Sequence, residues 1–181
     1  MKILDKDDTI AVLIDYQEKF VPAINDSELV EKNIIKAIKG IKIFNIPIIV
    51  TQQYTKGLGN TINSISNALE NYIPIDKHSF SCTGSEEFML SLKASNKKTV
   101  ILFGIEAHIC VQQTAYALQD LGYDVYVLSD CVSSRNRSDC DTALTRMALN
   151  GIQITSSESA LFELLRDSKN DGFKEIQTLV K

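Results

Sequence analysis

Two runs in this chain, Thr9-Ile-Ala-Val-Leu-Ile14 and Thr99-Val-Ile-Leu-Phe103, are apolar after the leading threonine and show no alternation. A strand with one wet face alternates apolar and polar residues, so an unbroken run requires cover on both faces. Each run is followed by a segment with helical spacing, and the same order recurs along the chain. Ser27-Glu28 opens a pattern in which Leu29, Ile34, Ile38, Ile41 and Phe44 share one apolar face, ended by Pro47. Ile48–Thr51 reads as the second strand and Pro74–Lys77 as a short third. Strands alternating with helices specify a mainly parallel six-stranded sheet between two helical layers, a three-layer α/β/α sandwich.

The remaining elements follow the same logic. Tyr54–Asn60 is a glycine-punctuated loop, followed by a weaker segment to Tyr72. Ser85 caps a helix that turns Phe88, Met89 and Leu92 inward, and Val111–Leu121 forms another, with Gly122 in the C-cap position. Tyr123–Ser129 is the fifth strand, Asp139–Asn150 a helix closed by Gly151, and Ile152–Ile154 the sixth strand. Ser157–Ser159 caps a helix through Leu165, and the tail to Lys181 packs as a short helix. No linker, repeat or low-complexity stretch interrupts residues 1–181, which read as one domain.

A net charge of −4 argues against nucleic acid or an anionic membrane as the main partner. No apolar stretch approaches the length of a membrane span, and the acidic start Met1–Asp8 does not read as a secretory signal. Cys82, Cys110, Cys131 and Cys140 form neither a CxxC pair nor a metal-type cluster, as expected of reduced thiols in a cytoplasmic protein.

Cys110 stands where the fourth strand hands over to a helix, and the unpaired N–H groups of a helix start favour the thiolate. Asp15 ends the first strand, Lys77 the third. In open α/β sheets ligands bind beyond the carboxyl ends of the strands, so all three face one edge. Asp15, its pKa raised by burial, suits a general base, Lys77 supplies positive charge, and Cys110 is the nucleophile. Backbone N–H groups of the 104–110 turn are placed to receive an oxyanion. The chemistry indicated is acyl transfer to water through a thioester.

Asp15-Tyr-Gln-Glu-Lys-Phe20, Lys77 with Ser79-Phe80, and Gly104-Ile-Glu-Ala-His-Ile-Cys110-Val resemble the isochorismatase-like cysteine hydrolase family. Gln52-Gln-Tyr54 with Gly57-Leu-Gly59, Asp130-Cys-Val-Ser-Ser-Arg135 and Thr155-Ser-Ser-Glu158 resemble most its isochorismatase-domain-containing subgroup. The resemblance implies strand order 3-2-1-4-5-6 and Asp15, Lys77 and Cys110 as base, electrostatic support and nucleophile. It also implies a cis peptide at Ile105–Glu106, an oxyanion hole from the amides of Glu106 and Cys110, and a homo-oligomer.

Nicotinamidases of that family carry an Asp-x-His metal pair after the second strand, where this chain reads Thr51-Gln-Gln-Tyr-Thr-Lys56. His78 and His108 are the only histidines, so neither metal nor cofactor is expected. Phe20, Gln53 and Tyr54 fall in segments that should line a pocket for a small, partly planar substrate. Arg135, Arg137 and Arg146 could bind an anionic substrate, but are read first as surface partners of Asp139 and Asp141. The full set of three favours a non-peptide amide substrate. Vinyl ether hydrolysis, which needs an acid and not a thiolate, and a non-catalytic scaffold are the alternatives. A dinucleotide-binding reading lacks GxGxxG after the first strand, and a redox reading lacks a resolving cysteine.

Overall fold

A computed structural model describes residues 3–181. Six strands form one sheet in the order β3-β2-β1-β4-β5-β6, and every neighbouring pair is parallel. The strands are β1 (Thr9–Ile14), β2 (Ile48–Gln53), β3 (Ile75–Lys77), β4 (Thr99–Ile105), β5 (Asp124–Ser133) and β6 (Gln153–Thr155). The unbroken apolar run of β1 is explained directly: Ala11 and Leu13 enter the core on one face, Ile10, Val12 and Ile14 that on the other. Each of these side chains but Ala11 contributes about 1.5–3 kcal/mol before the cost of ordering the chain is set against it.

The first layer contains α1 (Ser27–Ile43), α3 (Asn63–Leu69), α7 (Ser157–Leu165) and α8 (Phe173–Val180). On α1 the apolar stripe is Val30, Ile34, Ala37, Ile38 and Ile41, while Leu29 is 60% exposed. Leu29 therefore departs from expectation: it lies one position off the 3.6-residue stripe that Val30 occupies. Gly40 lets α7 approach α1, since a Cβ there would meet the Leu161 side chain at 2.5 Å. The opposite layer is α4 (Glu86–Ala94), α5 (Gln112–Asp120) and α6 (Arg137–Leu149). Ser85 accepts from the Phe88 N–H and caps α4; Ser156, not the Ser157–Ser159 segment, caps α7.

Several boundaries differ from the sequence reading by one or two residues, β6 (Gln153–Thr155) and α6 (Arg137–Leu149) among them, and the larger departures lie near one edge. Strands β2, β4 and β5 run on to Gln53, Ile105 and Ser133, past the last apolar residue of each run. The Tyr54–Asn60 loop contains a short helix, α2 (Thr55–Leu58), between Tyr54 and Gly59, both at positive φ. The helix carrying Cys110 begins as a π-helical turn, Ala107–Val111, before α5. At this edge, packing overrides local pattern.

Candidate active site

Strand register assembles the site. Ile14 on β1 pairs with Thr51 on β2, and Gln53 on β2 pairs with Lys77 on β3. Asp15 then leaves the sheet at φ 51°, fully buried, with its N–H donating to the Thr51 carbonyl at 3.1 Å. Its Oδ2 accepts from Lys77 Nζ at 2.6 Å and its Oδ1 from Thr51 Oγ1 at 2.8 Å. Lys77 Nζ also donates to Gln53 Oε1 at 2.8 Å, and to the carbonyls of Ser79 and Phe80 at 3.2 Å. Burial alone would lower the Lys77 pKa, but Asp15, then Cys82 and Cys110, more than offset it and hold the ammonium charged. An ion pair with no solvent exposure on either side chain is the electrostatic centre of the edge.

Beyond β1 lies the end of β4. Gly104 pairs with Ile14 at φ 120°, and a Cβ there would sit 2.1 Å from the Ile14 carbonyl oxygen, so only glycine permits the approach. The Ile105–Glu106 peptide is cis. The Glu106 carbonyl then accepts the N–H groups of Ile109 and Val111, closing the turn around Cys110. Cys110 is 4% exposed.

Burial pushes the Cys110 thiol well above its ordinary range, and the Asp15 carboxylate, by charge and hydrogen bond, pushes it further; Lys77 opposes them. This corrects the expectation of a thiolate favoured by a helix start. Burial and the neighbouring carboxylate both act toward the S–H form. Cys82 lies beside the same pair: it is fully buried, its pKa is pushed up to about 11 by burial and then Asp15, and its sulfur is 3.7 Å from Thr51 Oγ1.

A cavity of about 390 Å³ opens above Cys110, with Glu106 and Ile109 beside it, Phe20, Gln53, Leu58 and Phe80 as walls, and Lys19 and Arg135 at the rim. Phe20 and Gln53 are where the sequence placed them, and Gln53 also holds Lys77. Tyr54 is not in this wall: at φ 40° its ring turns outward, 48% exposed, and stacks against His78 with centroids 5.5 Å apart. Arg135 also departs from expectation. Its N–H and Nε donate to Glu106 Oε2 at 2.9 and 3.1 Å, and the Glu106 side chain is 4% exposed. Arg137 pairs with Asp26 at 3.5 Å and Asp141 at 3.8 Å. Lys19, Leu58, Phe80, Ile109 and the Glu106 side chain were missed as lining groups, although all five sit inside the quoted motifs. His108 Nδ1 lies 2.9 Å from Ser134 Oγ. Among the described residues, no group of three or more His, Cys, Asp or Glu side chains could hold a metal ion.

Residues 9–159 match the isochorismatase domain. The chain belongs to the isochorismatase family. Within this family it is 38% identical to isochorismatase domain-containing protein 1 from Salmo salar over 173 residues, 96% of this chain but 61% of that protein. It therefore spans less than two thirds of that relative's length. Among solved structures, MAR1 ribonuclease from Caenorhabditis elegans superimposes with a TM-score of 0.93 at 36% identity, covering 99% of this chain and 92% of that one. The YcaC gene product of Escherichia coli, described as an octameric hydrolase of unknown specificity, gives 0.93 at 26% identity, covering 99% and 89%. The isochorismatase family's hydrolase fold thus accounts for the sheet order and for the edge at which the buried pair lies.

Proposed function

We propose that this chain is a cysteine hydrolase of small, non-peptide amide-like substrates, working through a thioester on Cys110. The observation that carries the reading is the buried Asp15–Lys77 pair acting on a thiol at the foot of a cavity. The thiol proton passes to the Asp15 carboxylate as sulfur attacks the carbonyl carbon. The carbonyl π electrons move to oxygen, where the backbone N–H groups of Glu106 and Cys110 are assigned to receive them. The C–N bond then breaks, its electrons leave with nitrogen, and Asp15 returns the proton to the departing amine. Water attacks the thioester, restoring S–H and releasing the acid. Lys77 holds Asp15 Oδ2 in place as an ion pair, and Phe20 and Gln53 border the acyl group.

A resting thiol fits this scheme, because charge is created only when substrate is present. Vinyl ether cleavage would need a proton donor and would leave the Cys110 thiol at the foot of the cavity without a role. The octameric relative supports a homo-oligomer in this chain as well.

The test is intact-mass analysis of the protein mixed with small primary amides and activated esters, followed by product assay. Wild type gains one acyl group at Cys110 and turns the amide over, whereas Cys110→Ala does neither. Turnover that survives in Cys110→Ala would overturn the thioester. Structured and single-stranded RNA serve as the third substrate arm, because the C. elegans relative is described as a ribonuclease; RNA cleavage without amide turnover would replace the amide reading.

A further inference from the structure

We infer that Thr51 is a positioning residue for Asp15, its hydroxyl set by Cys82, and that this pair tunes how readily Asp15 takes the Cys110 proton. The inference rests on the general-base role proposed above. Thr51 is fully buried, one strand away from Asp15, and its Oγ1 is 2.8 Å from Asp15 Oδ1. A carboxylate is acceptor-only, so the Thr51 hydroxyl donates there. That leaves the Thr51 oxygen with lone pairs and no proton to offer. The fully buried Cys82 sulfur lies 3.7 Å from that oxygen, and a protonated thiol is the donor such an oxygen can accept. The chain of donors therefore runs from Cys82 S–H to Thr51 O–H to Asp15 Oδ1.

This order has a chemical consequence. Lys77 grips Oδ2 and Thr51 grips Oδ1, so both oxygens are held before the Cys110 proton arrives. Each donor favours the charged carboxylate and lowers its proton affinity. Lys77 supplies the counter-charge, whereas Thr51 supplies an uncharged donor to the same carboxylate. Cys82, sealed from solvent and backed by its own backbone N–H donating to Thr114 Oγ1 at 2.9 Å, cannot act as a second nucleophile toward the cavity. Its placement instead fixes the direction of one hydroxyl. The titratable groups facing Asp15 are Lys77 from β3, Cys82 from the turn Cys82–Gly84, and Cys110 from the π-helical turn.

The experiment is the pH profile of Cys110 alkylation by iodoacetamide, read by peptide mass, in the full chain. Under the general-base role, the wild-type rate has an acid limb set by the group that takes the Cys110 proton. Thr51→Val removes the hydroxyl at nearly constant shape, and the acid limb moves up by about one pH unit, the scale of one hydrogen bond to a carboxylate. Thr51→Ser restores the wild-type limb, which a simple packing role would not do. Cys82→Ala, which keeps the hydroxyl but frees its direction, moves the limb the same way by a smaller amount and serves if Thr51→Val does not fold. Limbs that coincide in wild type and Cys82→Ala, or in wild type and a folded Thr51→Val, overturn the inference. An acid limb that persists unchanged in Asp15→Asn overturns the general-base role itself, and with it this inference. Loss of amide turnover with the limb shifts intact would overturn only the hydrolase reading.

Discussion

At the residue scale the molecule is governed by one buried charge pair. Taking an ammonium and a carboxylate out of water costs several kcal/mol each, and only close contact with further hydrogen bonds offsets it. Asp15 and Lys77 meet both conditions, at 2.6 Å, with Thr51, Gln53 and two backbone carbonyls filling the remaining positions. Lys77→Met should therefore destabilise the fold by about 3–5 kcal/mol, because it strands a buried carboxylate. Adding Asp15→Asn to that variant should recover a large part of the loss while leaving the protein inactive. Urea unfolding of the two variants checks this; equal stability of single and double variants would mean the pair is not energetically coupled. That Asp15, Lys77 and Cys110 lie at one edge was readable in the chain, because strand ends in a parallel sheet share an edge. The state of the thiol was not readable, since protonation depends on depth and on neighbours such as Cys82, which no local motif specifies.

At the element scale the contact between β1 and β4 decides where Cys110 stands. Their register sets Gly104 against Ile14, and the Gly104 backbone occupies the space a side chain would need. Gly104→Ala would press a methyl group onto the Ile14 carbonyl at a φ that alanine avoids. The two strands must separate, at a cost of about 3 kcal/mol or more, in the upper range for single substitutions. Thermal melting measures the cost, and the displacement should also slow Cys110 acylation; a variant with wild-type melting and acylation would show that the edge is more yielding than its geometry. The strand cores were legible from their unbroken apolar runs and the helices from their stripes. The ends were not: Gln52, Gln53 and Gly104 offer no apolar run, and pairing with neighbouring strands extends β2 and β4 across them, while β5 continues past Ser129 through a register shift to pair Val132 with Gly104. The outward turn of Tyr54 has the same origin, a positive φ imposed where β2 ends against β3.

At the scale of the whole molecule, charge is distributed against its own average. The chain carries a net charge of −4, yet the cavity rim presents Lys19 and Arg135 against the single lining carboxylate of Glu106. Lys19 Nζ is tied to the Gly57 carbonyl at 2.8 Å, and Arg135 uses its Nε on Glu106, so both cations are held at the mouth rather than sweeping through solvent. An anionic reagent is thus repelled by the surface at large and attracted at the opening, and a cavity with low-dielectric walls focuses that attraction. Iodoacetate and iodoacetamide differ by one charge and little else, so their rate ratio at Cys110 isolates the field from the chemistry of the thiol. Arg135→Gln should lower that ratio by roughly tenfold, the size of a charge-assisted contact partly open to water, and Lys19→Gln by less. Raising the salt from about 0.01 M to 1 M shrinks the screening length from about 30 Å to about 3 Å and should bring wild type toward the Arg135→Gln ratio. A wild-type ratio indifferent both to salt and to Arg135 would mean that the rim charges do not reach the thiol, and that the apolar walls of Phe20, Leu58 and Phe80 alone select what enters.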